Sequence, residues 1–238
     1  MIFNGDPDDQ DICSLADDYV STDDNLFPLK QKARFANRTM GDIWSVIFEA
    51  YGGWQFDDGN NTNLPSATTA LVSGQQQYTN PTDAVTVRGV EVKTTGGSWQ
   101  TIKPITEEEI RSWGIAEAEF YKVAGQPMRY RVMDGLIKLY PAANYSQDSS
   151  LRMTFDRAMT SFSSTDTAKE PGFMSNFHDG VALGMAKCFA QAKRLTNLEG
   201  LLVDWNSYLK DVAAYYQARW KEKFPPRITT VDATKEFS

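Results

Sequence analysis

One histidine, His178, and two cysteines, Cys13 and Cys188, are all that 238 residues hold of those two types. Such a set cannot close a tetrahedral zinc site within one chain, and any mechanism that needs a histidine pair is excluded. Basic charge is short as well: 24 Lys and Arg stand against 31 Asp and Glu, a net charge of −7. That is the wrong sign for a protein whose purpose is to grip a phosphate backbone. No stretch approaches the roughly 18 apolar residues of a membrane span. The opening MIFNGDPDDQ has no basic region followed by an apolar core, so no signal peptide is expected. Neither the Walker A pattern nor GxGxxG occurs, and no repeat of solenoid or propeller period is visible. The cysteines lie far apart, with Cys188 on an apolar helical face, which predicts buried reduced thiols and not a disulfide framework.

The remaining candidates for chemistry are weak. His178 beside Asp179 could orient an imidazole, but no nucleophile motif accompanies it, and a capping or interface role is expected. Asp57-Asp58-Gly59 and Thr106-Glu107-Glu108-Glu109 cluster carboxylates without the alternating ligand positions that calcium needs. No metal or cofactor is expected, and an enzyme is the weaker reading. Met128-Arg129-Tyr130-Arg131 and the segment Tyr216 to Lys223 put cations beside aromatics. Strand alternation explains the first, and a helix end, where cations complement the macrodipole, explains the second.

What is present is an ordered globular composition, 41% hydrophobic and 23% charged. Asp6, Asp8, Asp9, Asp11, Asp17, Asp18, Asp23 and Asp24 all precede the first basic residue, Lys30, and residues 1–25 read as a solvated acidic arm. From Leu26 to about Phe56, Phe35, Ile43, Trp44, Ile47, Phe48 and Tyr51 recur at helical spacing, with Pro28 in the first turn and Gly52-Gly53 at the end. The period then changes to two. Val85, Val87, Val90 and Val92 alternate with polar residues around Gly89, Gly96-Gly97 supplies a turn, and Asp134-Gly135 separates the strands Met128–Val132 and Leu136–Tyr140. Between them Thr106 and Glu109 have the spacing of a capped helix start, for a short helix reaching about Gly114. Leu151 to Arg157 reads as a further strand. Helical spacing returns in two stripes, Phe177 to Ala192 and Leu198 to Tyr216, with Asn197 as the cap of the second, and Pro225-Pro226 forbid its continuation.

The fold expected is α+β: a helical frame over residues 26–65 and 158–223, an inserted antiparallel β-rich module over residues 66–157, and an extended tail over residues 224–238. The succession SGQQQYTNPTDAVTVRGVEVK, GQPMRYRVMDGLIKLYP and TAKEPGFMSNFHDGVALGMAKCFAQ, followed by a second long helix, resembles the head-to-tail adaptor (connector or neck) proteins of tailed bacteriophages over about residues 30 to 223. The resemblance implies a structural virion protein, assembled in the host cytoplasm. It would form a homo-oligomeric ring, commonly of twelve copies, beneath the portal protein, with packaged DNA passing through without specific binding. The tail or the next neck protein would dock on it. Phe224, Ile228, Val231 and Phe237 are scattered through a proline-broken polar tail that one subunit cannot easily bury, and they are expected to anchor on the portal. A tail-tube or head-completion ring is the alternative station. A metal-dependent nuclease would be exposed by mutating Asp57 and Asp58.

Overall fold

In the structure, a computed structural model, residues 1–6, 8, 10–52, 65–112 and 124–223 are described, the last three by backbone alone. Their elements, in chain order, are α1 (Ile12–Val20), α2 (Leu29–Tyr51), β1 (Ser66–Leu71), β2 (Gln77–Thr79), β3 (Ala84–Lys93) and β4 (Trp99–Pro104). After these come α3 (Glu107–Ser112), β5 (Arg129–Met133), β6 (Leu136–Tyr140), β7 (Gln147–Arg157), a 3₁₀ turn at Ser175–Phe177, α4 (Asp179–Lys193) and α5 (Leu198–Lys223). This is the expected α+β composition. The chain divides into two units, one from residues 1–54 and 159–238, the other from residues 55–158.

The first unit is organised on α4, whose residues from Gly180 to Ala186 are all buried. Helices α1, α2 and α5 each pack on it, and α2 also packs on α5. Gly180 and Gly184, one turn apart, make that approach possible. A Cβ on Gly180 would overlap the ring of Tyr208 from α5, and one on Gly184 would overlap Thr39 of α2 and press on Trp205 of α5. Phe27 stacks on Phe189 with centroids 4.3 Å apart, and Phe3 on Phe162 at 4.6 Å. The chain re-entering this unit is tied to α2 by a reciprocal pair. Asn37 donates to the Phe162 carbonyl at 2.9 Å and accepts from the Phe162 N–H at 2.7 Å.

The solvated acidic arm needs correction. Asp11 is buried and caps α1, accepting from the N–H groups of Ser14, Gly5 and Asp6. Ile12, Cys13, Ala16 and Val20 then form a buried stripe. The apolar periodicity was short and interleaved with carboxylates, which hid a packed helix inside a charge run. Other aspartates of the arm serve α2: Asp17 and Asp24 hold the Nζ of Lys32 at 2.5 and 2.6 Å. Helix α2 starts at Leu29, not Leu26, because Asp23 accepts from the N–H groups of Asn25 and Leu26 and so turns the chain before Pro28. It ends as expected at Gly52, whose φ of 71° suits glycine.

In the second unit the strand order is β1-β7-β3-β4-β5-β6-β2. The edge strands β1 and β2 are joined by residues 72–76, and the Tyr78 hydroxyl of β2 accepts from the Val72 N–H at 3.1 Å. The sheet therefore curls until its edges approach, around one apolar cluster that includes Leu71, Val90, Ile102, Tyr130, Ile137 and Met153. Gly97, at φ 83°, and Gly135, at φ 69°, sit in the two expected hairpin turns. The expectation of a purely antiparallel module is corrected at one place: β4 and β5 run parallel, pairing Lys103 with Arg129 and Pro104 with Tyr130. Parallel neighbours cannot be joined by a hairpin, and 24 residues separate Pro104 from Arg129 in the chain.

Candidate assembly surfaces

The residues with chemical potential are mostly occupied by structural work. His178 is buried, and burial holds its pKa below the ordinary imidazole value. Its Nε2 lies 2.8 Å from the Phe173 carbonyl, which fixes the proton there, and its Nδ1 lies 3.1 Å from the Met1 amine. Cys13 is buried, and burial pushes its thiol up to about 12, away from the nucleophilic thiolate. Cys188 is buried and raised for the same leading reason. Among the described residues no three His, Cys, Asp or Glu side chains gather as metal ligands would. Asp57 and Asp58, and the tail residues Phe224, Ile228, Val231 and Phe237, lie outside the described residues.

Thr106 and Glu109 form the expected capping box: Thr106 Oγ1 accepts from the Glu109 N–H at 3.2 Å, and Glu109 Oε2 accepts from the Thr106 N–H at 3.1 Å. The carboxylates of this turn also meet strand β5. Glu107 pairs with Arg131, and Glu109 lies 3.9 Å from Arg129. Sequence alternation marked Arg129 and Arg131 as a wet face, but the partner came from an element its pattern does not reach. The same face continues with Glu91 bound to Arg152, whose guanidinium lies 4.4 Å from the ring centroid of Trp99.

What the described residues offer to others is contact surface. In the first unit Leu26 and Val203 are the most exposed large apolar residues, at 65% and 68%. An open groove of about 290 Å³ runs between Val46, Glu49 and Ala50 of α2 and Leu209, Ala213 and Gln217 of α5. Helix α2 also shows solvent a row of cations, Lys30, Arg34 and Arg38. Asn197 stands at the head of α5 as expected, but its amide donates to the Tyr19 carbonyl at 3.2 Å and so joins α5 to the end of α1. In the second unit the β5–β6 hairpin exposes Val132 and Met133.

Strand β1 has an open edge. Phe155 donates to the Pro65 carbonyl, so residues 65, 67 and 69 face β7, while Ser66 and Thr68 turn their N–H and C=O groups outward. No strand among the described residues pairs with that edge.

The described residues thus carry exposed apolar side chains in both units, an open groove in the first and an unpaired strand edge in the second. The family is identified directly: the model of the SU10 adaptor protein matches residues 14–234, nearly the whole chain. The chain belongs to this family of phage head-to-tail adaptors and is a structural component of the virion. No curated protein matches it. No helix among the described residues is long and apolar enough to cross a membrane.

Proposed function

We propose that this adaptor closes into a ring of about twelve copies beneath the portal, extends the DNA channel towards the tail and gives the tail or next neck protein its docking platform. The observation that carries the reading is the family match across residues 14–234. The charge agrees with it. Twelve copies of a chain at −7 bring about −84 to the ring, and a channel that must pass DNA without holding it is served by a deficit of cations.

Phe224, Ile228, Val231 and Phe237 are the proposed anchors on the portal. Extended, residues 224–238 reach on the order of 50 Å, enough to clasp a neighbouring ring. Measuring the mass of the purified chain with and without portal tests the ring. A closed oligomer in either condition is expected, and a monomer in both would overturn it. Removing residues 224–238 should abolish portal binding while leaving both folded units intact. Unchanged binding would refute the anchors alone.

A further inference from the structure

The row of cations on α2 is the least explained surface of the molecule. Lys30, Arg34 and Arg38 are exposed and spaced four residues apart, so they cover about 12 Å of one helix face. No ion pair on that helix takes them up: Asp42, one turn beyond Arg38, is held by Lys187 of α4 at 3.7 Å, and Arg34 has only the Phe35 ring, 5.5 Å from its guanidinium. Asp42 is its first acidic residue, the first turn holds none, and Pro28 at the cap makes no side-chain bond. Lys30, in the first turn, also opposes the macrodipole. The fourth cation of the segment, Lys32, faces inward to Asp17 and Asp24. Among the described residues no ion pair involves the other three.

The complementary surface lies on the same unit. At the seam where α1, α4 and α5 meet, Tyr19 is 37% exposed. Gly180, next to Asp179, packs against Tyr208, one turn along α5 from Asp204, and the Asn197 amide ties the head of α5 to Tyr19; burial, and then these two carboxylates, push the Tyr19 hydroxyl pKa up. Both aspartates are exposed, and no cation is paired with either among the described residues. Among the described residues no ion pair joins the cationic face of α2 to these aspartates within a copy, and copies placed head to tail can bring the two faces together. That heterologous arrangement is the one a cyclic ring requires.

We propose that Lys30, Arg34 and Arg38 of one copy dock on the Tyr19, Asp179 and Asp204 seam of the next, forming the contact between neighbouring subunits. This interface rests on the ring reading above. It sets register and partner choice through opposed charge and adds to apolar contact made elsewhere in the interface.

The test is a charge swap, read in whichever condition, with or without portal, the unaltered chain forms its ring. Arg34→Glu with Arg38→Glu should raise the concentration for half-assembly at least about tenfold, and Asp204→Lys should do the same. Mixing the two variants should restore assembly to within about threefold, because each supplies the face the other has lost. Should the reversal disturb folding, Arg34→Gln with Arg38→Gln removes charge at similar length and should weaken assembly in the same direction.

Assembly unmoved by these changes, or no rescue on mixing, overturns the interface and leaves the ring standing. Loss of retention on duplex DNA with assembly intact would assign the row to nucleic acid and overturn it as well. An unaltered chain that forms no ring in either condition removes the ring reading and this interface together.

Discussion

The two units treat arginine differently. In the sheet unit Arg88 pairs with Asp156, Arg131 with Glu107, Arg152 with Glu91 and Arg157 with Asp83, each cation meeting a carboxylate from another part of the same unit. In the helical unit Lys32 is buried between two aspartates, while Lys30, Arg34 and Arg38, on the other side of the same helix, face solvent. A charge that a fold needs has its partner built in. One left facing water costs the isolated chain little and is free to be matched elsewhere. The units also differ in assembly: residues 55–158 are continuous and share a core of neighbouring strands, whereas the helical unit brings both ends of the chain together around α4.

The contrast can be broken most severely at α4. Gly180→Val would drive a branched side chain into the Tyr208 ring, which cannot swing away easily because its hydroxyl is bonded to the Phe177 carbonyl at 2.7 Å. A loss of about 3 kcal/mol is expected. Thermal unfolding followed by near-ultraviolet circular dichroism should show the helical unit melting first, with the sheet unit keeping its own transition.

Lys32 and Arg34 sharpen the distinction between charges matched inside and outside. Lys32→Met strips the partner from Asp17 and should cost about 2 kcal/mol, since water still reaches Asp24. Arg34→Met should stay within about 0.5 kcal/mol. Urea titration of both variants distinguishes them. The Lys32 cluster also has a signature at high pH. Burial pulls the ammonium down, but Asp17 and Asp24 outweigh it and raise the folded pKa above 10.5. Its stabilisation is therefore complete below pH 10.5 and is lost as pH rises through the higher folded value. The difference between the unaltered chain and Lys32→Met should shrink over that range.

A smaller effect separates the two sides of β1. Thr69→Pro removes an N–H that faces β7 and should cost about 2 kcal/mol, while Thr68→Pro removes one that faces outward and should cost under about 1 kcal/mol. Chemical denaturation would order the pair, and equal losses would contradict the assigned facing of the strand.

Much of this fold was legible because its local signals are strong. Asp134-Gly135 and Gly96-Gly97 make turns that the flanking strands follow, Thr106 and Glu109 cap a helix at the spacing that permits nothing else so well, and the long helical stripes announce α2, α4 and α5. The head of the chain misled for a physical reason. Eight aspartates before Lys30 look solvated when counted, yet Asp11 is consumed by backbone N–H groups and Asp17 and Asp24 by one lysine. The cationic row on α2 was legible as spacing alone, but its exposure was not.

By itself, then, the sequence determined which segments turn, which coil into helices and which lie extended, because those preferences act over a few neighbouring residues. It also carried the order of elements by which the adaptor family is recognised. Tertiary structure decided the parallel pairing of β4 with β5, the use of Gly180 and Gly184 as seats for α5 and α2, and which charges are matched within the chain. Those outcomes depend on what stands opposite a residue in space, and the partner lies beyond the few neighbouring residues that local preferences reach, as Thr39 does from Gly184.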